Sequence, residues 1–260
     1  MSASLLKNTI KRYLPRSTRS FIASSLYLGK KIHGYETYRS LLRGKRGLEV
    51  GGPSVLFRTE LPLYQVVDGL DGANFGNNTI WEGEISSESG FNYIYGKSGR
   101  QYICDATNLN EIKSNTYDFL LSSNCLEHVA NPMKALGEWR RVLINGGHIL
   151  LVLPNKKSNF DHNRPVTSFE HIIEDYRNNI AEDDLTHLDE ILQLHDLSLD
   201  PPAGTLEQFK FRSMNNFNNR TLHHHIFDTA LMTKMLAHFN FEVIKTDVTA
   251  TNMFALAKKT

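Results

Sequence analysis

Three kinds of residue in this chain could do chemistry together. A turn, Gly51-Gly52-Pro53, follows Glu49 almost directly, and residues without a Cβ let a backbone pass close beneath a ligand. Carboxylates recur after it at Asp68, Asp71 and Asp105. One carboxylate accepts two hydrogen bonds at once, which suits a pair of hydroxyls or an amine. Histidines crowd the C-terminal half: His162, His171, His187 and His195 are interleaved with acids, and His223, His224 and His225 stand in a row. A histidine held by a carboxylate takes up a proton near neutral pH. Asp161–His162 is one such pair, and Asp183–His187, at i and i+4, is another if the segment is helical. His223 and His225 would face the same way in an extended segment and, with carboxylates, could hold a divalent ion. No H-E-x-x-H and no paired C-x-x-C spacing supports that reading.

The elements that must position these residues follow from hydrophobic periodicity. Residues 47–155 alternate strand-like and helix-like patterns, the signature of a doubly wound α/β sheet. Strands are predicted at 47–50, within 64–70, and at 102–104, 117–121 and 148–153. A helix is predicted over about 132–143, with Met133, Leu136, Trp139 and Val142 on one face. Residues 72–100 are rich in Gly, Asn and Ser and read as a long excursion with a hairpin within 80–94. Thr167 with Glu170 and Thr205 with Gln208 have capping-box spacing and predict two helix starts. A further helix is predicted over 184–194. Asp228 caps a helix to about His238, and two final strands at 241–246 and 252–258 read as an antiparallel pair. Apolar spacing also predicts a helix within 20–43.

In an open parallel sheet, ligands bind beyond the carboxyl end of the first strand. Gly47 to Ser54 (GLEVGGPS) is a short buried strand opening into a glycine turn there. No G-x-G-x-x-G follows it, which removes the pyrophosphate cradle of a nicotinamide cofactor.

This run resembles motif I of class I S-adenosylmethionine-dependent methyltransferases, in the variant reading LEIGGPS. Tyr102 to Thr107 (YICDAT), Tyr117 to Val129 (YDFLLSSNCLEHV) and Leu143 to Asn155 (LINGGHILLVLPN) are similar to later motifs of that family, in the same order. The resemblance covers residues 47–155 and resumes over 226–260. It implies a Rossmann-like, mostly parallel sheet with an antiparallel last strand, and S-adenosylmethionine as cofactor. The implied cofactor-binding residues are Glu49, Gly51, Gly52 and Pro53 around the turn. Asp68 or Asp71 would hold the ribose hydroxyls, since they lie 19 and 22 residues after Glu49, where about 20 is expected. Asp105 and the Ala106 amide would read adenine, and Ser122, Ser123 and Asn124 would approach the amino-acid end. His128, in the EH pair that begins the next helix, would lie beside the reacting atoms. Asp161, His162 and His187 complete the candidate catalytic set.

Composition sets the wider bounds. The formal net charge is +1, yet residues 1–46 hold eleven Lys/Arg against one Glu, and the remainder holds 18 basic against 27 acidic residues. Such asymmetry points to a basic arm meeting an anionic partner or surface. Two cysteines, Cys104 and Cys125, sit in or beside predicted core strands and fit reduced thiols in a cytoplasmic protein. The division expected is a basic helical N-terminal extension (1–46), a methyltransferase core (47–155 and 223–260) and a helical substrate cap (156–222). The reaction expected is O-methylation of a polar small molecule or a glycan-linked sugar hydroxyl, with a divalent metal as an optional second cofactor. A non-catalytic module holding the cofactor or its product is one alternative. A nucleic-acid methyltransferase is the other, disfavoured by the acidic body and by SSNC at residues 122–125, where many DNA amino-group methyltransferases carry an N/D-P-P-Y/F motif.

Overall fold

A computed structural model describes residues 32–260. Most of the basic arm, and the part of the expected 20–43 helix before residue 32, lie outside the described residues. What is described of that helix is α1 (Tyr35–Leu42).

Among the described residues eleven strands form: β1 (Arg46–Val50), β2 (Gly69–Asn74), β3 (Asn78–Thr79), β4 (Gly83–Glu84), β5 (Phe91–Ile94), β6 (Lys97–Gly99), β7 (Gln101–Ile103), β8 (Tyr117–Ser123), β9 (Leu143–Pro154), β10 (Phe241–Val248) and β11 (Asn252–Lys259). Seven of them make one sheet in the order β10-β11-β9-β8-β1-β2-β7. β1 pairs in parallel with β2 on one side and β8 on the other, and β11 runs antiparallel to both neighbours. The chain winds outward from β1 through β2 to β7, then returns to β8 on the opposite flank. That reversal opens a crevice at the carboxyl ends of β1 and β8.

Period-two alternation sorts the strand residues onto two faces. Leu48, Val50, Leu120, Ile149 and Leu151 join one core layer, under α2 (Pro132–Val142) and α7 (Thr229–His238). Phe119, Leu121, Leu150 and Val152 join the other, covered by Tyr38 and Leu42 of α1 and by Phe57, Leu61 and Tyr64 of a run of turns. Trp139 of α2 is fully buried and donates its indole N–H to the Ala106 carbonyl at 3.0 Å. This bond pins the loop after β7 to the helix layer.

The second strand corrects the sequence expectation. Residues 64–68 form turns, and β2 begins at Gly69. The apolar 61–67 run is buried as a turn-rich cover, while the strand is GLDGAN, poor in strand-favouring residues. Glycine is required in it: a Cβ on Gly72 would lie 2.0 Å from the Phe91 ring. The 72–100 excursion holds two small hairpins, β3–β4 and β5–β6.

Between β9 and α7 lie α3 (Phe169–Arg177), α4 (Leu188–Leu194), α5 (Leu206–Met214) and α6 (Asn216–Asn219). The capping box at Thr205 and Gln208 is present. At α3 the cap is Ser168, which accepts from the His171 amide; the Thr167 hydroxyl instead accepts from the Ile226 amide. Asp228 caps α7 through the Leu231 amide. Among the described residues no helix is long and apolar enough to cross a membrane.

Candidate functional site

A cleft of about 720 Å³ lies at the carboxyl ends of β1, β2 and β8. Its sheet-side wall includes Gly51, Pro53, Asn74, Asp105, Ala106, Ser123 and Asn124. Its opposite wall comes from Phe160 and from the α3–α7 region, with Glu182, Arg212, Arg220 and His223.

Gly51 has a φ of +81°, and a Cβ there would meet Cys125 Sγ at 2.6 Å. The turn can therefore pass under the cleft only as glycine. Gly52 is closed in differently: its Cβ would strike the Glu49 carboxylate at 2.4 Å. Glu49 is fully buried and accepts from the Tyr64 hydroxyl at 2.5 Å, the Ser54 hydroxyl at 2.6 Å and the Ser54 amide at 3.0 Å. Burial pushes its carboxyl up to about 7, against the lowering effect of those donors. Glu49 braces the glycine turn from behind, and neither it nor Gly52 lines the cleft.

Both carboxylates expected on the ribose are placed elsewhere. Asp68 is exposed in a turn before β2. Asp71 lies in the first half of β2, paired with Leu48, and accepts from the Arg100 amide at 2.8 Å and the Tyr117 hydroxyl at 2.7 Å. The residue ending β2 in the cleft is Asn74. Its Nδ2 donates to the Gly52 carbonyl at 2.9 Å, leaving its carbonyl oxygen as an acceptor. Counting from Glu49 to an acid missed it, because the position carries an amide.

Asp105 is in the cleft. Its Oδ1 accepts from the Thr107 amide and hydroxyl at 2.8 and 2.7 Å, and its Oδ2 pairs with Arg220 at 3.1 Å. Arg220 also pairs with Glu182 at 3.0 Å and lies over the Phe75 ring, so it bridges the two walls. Ser122 is fully buried and does not line the cleft, whereas Ser123 and Asn124 do.

The histidine–carboxylate pairs are rearranged. His162 is exposed and pairs with Asp196 at 3.0 Å. Asp161, 1% exposed, instead receives His223 Nδ1 at 2.5 Å and Arg164 at 3.2 Å. Burial works against both charges, yet the mutual attraction holds His223 above its ordinary range and Asp161 below its own. Asp183 and His187 share no helix: Asp183 is an exposed turn residue, and His187 precedes the first turn of α4. His187 instead contacts His171, 3.0 Å away.

His128 sits in a single 3-10 turn, Leu126–His128. Its Nδ1 contacts the Leu222 carbonyl at 3.1 Å, and its ring packs edge-on against His223 and tilted against Trp81. Burial drives it well below the usual histidine range, so it is neutral. Glu127 lines the cleft with a buried Oε2 that has no hydrogen-bond partner, and burial pushes its carboxyl up to about 7. Glu127, His128 and His223 each bring an N or O atom within 4.8 Å of the others.

The donor set fits a nucleoside linked to an amino acid. Asn74 and Asp105 offer acceptors from neighbouring strand ends, the glycine turn gives close approach, and Ser123 and Asn124 flank the centre. Glu182 and Arg220 escaped sequence reasoning, and His223 was read with His225 as a possible metal ligand and not as the partner of Asp161, because each is far along the chain from what it faces. The run of histidines 223–225 was the one visible signal.

The chain is similar to several known proteins. Residues 90–151 match a family model described as a methyltransferase domain. A 46-residue stretch is 52% identical to an uncharacterised protein of Methanocaldococcus jannaschii, and the match covers 18% of this chain and only 20% of that protein's length. Among solved structures, an S-adenosylmethionine-dependent methyltransferase from Thermotoga maritima, described as a possible histamine N-methyltransferase, is 16% identical, with 100% of both chains covered and a TM-score of 0.48. Another from Mesorhizobium loti is 10% identical, covering 86% of this chain and 96% of its own, with a TM-score of 0.49.

Proposed function

We propose that this chain, whose residues 90–151 match the methyltransferase domain family, is a class I S-adenosylmethionine-dependent methyltransferase that methylates a hydroxyl of a polar small molecule or a glycan-linked sugar. The observation that carries this reading is the Asp161–His223 contact at the cleft wall. Methyl transfer to an alcohol requires the hydroxyl proton to leave as the oxygen attacks. In its neutral form, with the Nδ1 hydrogen donated to Asp161, His223 keeps the lone pair of Nε2 for that proton. The charge that develops on the ring is balanced by the buried carboxylate.

S-adenosylmethionine supplies the activated methyl group, so the protein contributes alignment and proton removal. Asn74 accepts from a ribose hydroxyl, and the Ala106 amide and Asp105 carboxylate meet the adenine edge. Glu127, buried and without a hydrogen-bond partner, is an acceptor for a second acceptor hydroxyl. His128, neutral and held by Leu222, packs against the base and fixes its ring. Glu127, Asp200, Arg212 and Thr221 offer polar contacts to an acceptor that carries hydroxyls, while Phe75, Ile80, Trp81 and Phe160 give it apolar surface to lie against.

The test pairs two measurements on the purified protein and on His223→Ala. Calorimetric titration with S-adenosylhomocysteine reads the cofactor pocket, and transfer of labelled methyl to a panel of sugars reads the chemistry. The expected result is unchanged product affinity in the variant with transfer reduced roughly 10²–10⁴-fold, the usual worth of a positioned general base. Failure of the intact protein to bind S-adenosylhomocysteine would overturn the methyltransferase reading. Equal transfer by the variant would overturn the role of His223.

A further inference from the structure

A second histidine cluster lies outside the cleft. His171 and Asp175 occupy i and i+4 on α3 and so share a face. His187 stands at the start of α4, and His225 lies in the extended segment before α7. His171 Nε2 is 3.0 Å from His187 Nε2 and 3.3 Å from Asp175 Oδ2, and His225 Nε2 is 3.4 Å from the same oxygen. All four side chains bring a ligand atom within 4.8 Å of one another.

These separations have a simple geometric meaning. Ligand atoms about 2.0–2.1 Å from a tetrahedral ion lie about 3.3–3.4 Å from each other. The three distances fall at or near that value, although the residues come from three places whose ends are 54 residues apart in the chain. Three ring nitrogens crowd one carboxylate here: His171 Nε2 faces both His187 Nε2 and Asp175 Oδ2, and His225, 1% exposed, turns its Nε2 to the same Asp175 oxygen. The His171 side chain is 37% exposed, which leaves an entry path.

We propose that His171, Asp175, His187 and His225 form a structural site for a divalent transition metal of the zinc type. Three imidazoles and one carboxylate close the coordination with protein ligands, the mark of a structural rather than a catalytic centre. The Ala130 carbonyl competes for His225 Nε2 at 3.1 Å, so metal uptake exchanges that hydrogen bond for a coordinate bond, and the single ring proton moves to Nδ1. The ion ties α3, the start of α4 and the 223–227 segment together. Glu182, Arg212, Arg220 and His223, which wall the cleft, lie between or beside the ligands in sequence. The site therefore holds the opposite wall of the cleft against the sheet.

The experiment is a zinc titration of the full chain against a chromophoric chelator, repeated with cobalt, whose visible absorption is intense in tetrahedral sites. The variants are His187→Ala, Asp175→Asn, His187→Cys and His223→Ala. The intact chain should bind one equivalent with tetrahedral cobalt absorption and a raised unfolding temperature. His187→Ala and Asp175→Asn should weaken binding by more than about tenfold, the least that losing even an outer-shell partner costs. His187→Cys, which keeps a ligand and controls for misfolding, should retain one equivalent with a shifted cobalt spectrum. His223→Ala should bind as the intact chain does. The proposal is overturned if the intact chain binds no zinc, or if binding survives in both ligand variants. It is also overturned if binding is lost in His223→Ala and kept in His187→Ala, which would put the ion in the cleft.

Discussion

His223 Nδ1 lies 2.5 Å from Asp161 Oδ2, across 62 residues of sequence. The neighbouring histidine, His162, turns outward to Asp196. The two histidines should thus differ sharply. His162→Ala should leave methyl transfer within about twofold, since its partner pair is exposed and such pairs contribute little. His223→Ala should abolish most of it. Steady-state rates on one acceptor, with both variants side by side, check the contrast.

Gly51 cannot be replaced without strain. In Gly51→Ala the new methyl meets Cys125 Sγ at 2.6 Å, in a backbone conformation with φ +81°. The left-handed conformation alone costs about 1–2 kcal/mol for a residue with a Cβ. Urea unfolding should show a loss of at least that size, and product binding should weaken with it. A midpoint equal to that of the intact protein would refute the tight turn.

Asn74 is assigned a ribose contact, and Asp68 none. Asn74→Ala should weaken S-adenosylhomocysteine binding about tenfold, which corresponds to about 1.4 kcal/mol, within the range for one lost hydrogen bond. Asp68→Asn should not change it. Calorimetry on the two variants decides between Asn74 and the strand-two acid expected from spacing.

Glu49 links stability to pH. Burial raises its carboxyl from an ordinary 4.5 to about 7 in the folded chain. An acid with a raised folded pKa binds its proton more tightly when folded, so its contribution is complete below pH 4.5 and is lost as pH climbs through 7. Glu49→Gln cannot titrate, so its unfolding free energy should fall less between pH 5 and pH 8 than that of the intact protein. Parallel curves for the two proteins would show that Glu49 does not set the slope.

Local pattern made several features legible: the buried β1 run, the 205–208 capping box, the Asp228 cap, and Met133, Leu136, Trp139 and Val142 on one face of α2. Each depends on residues within a few positions of one another, where spacing and geometry are nearly the same thing. β2 was misjudged because periodicity rewards apolar runs. The 61–67 run is a buried cover, while the true strand carries glycines so that Phe91 can pack on it.

By itself the sequence determined most of the elements, their order and the end of the sheet where the cleft opens. It could not decide which carboxylate meets which histidine. Asp161 has His162 beside it in the chain and His223 beside it in space. Asp175 gathers histidines 4 and 50 residues away, with a third packed against them. Those partnerships are set by how the helices between β9 and α7 fold back over the sheet. Burial, not sequence distance, then selects the pairs, because a buried charge must find a partner and an exposed one need not.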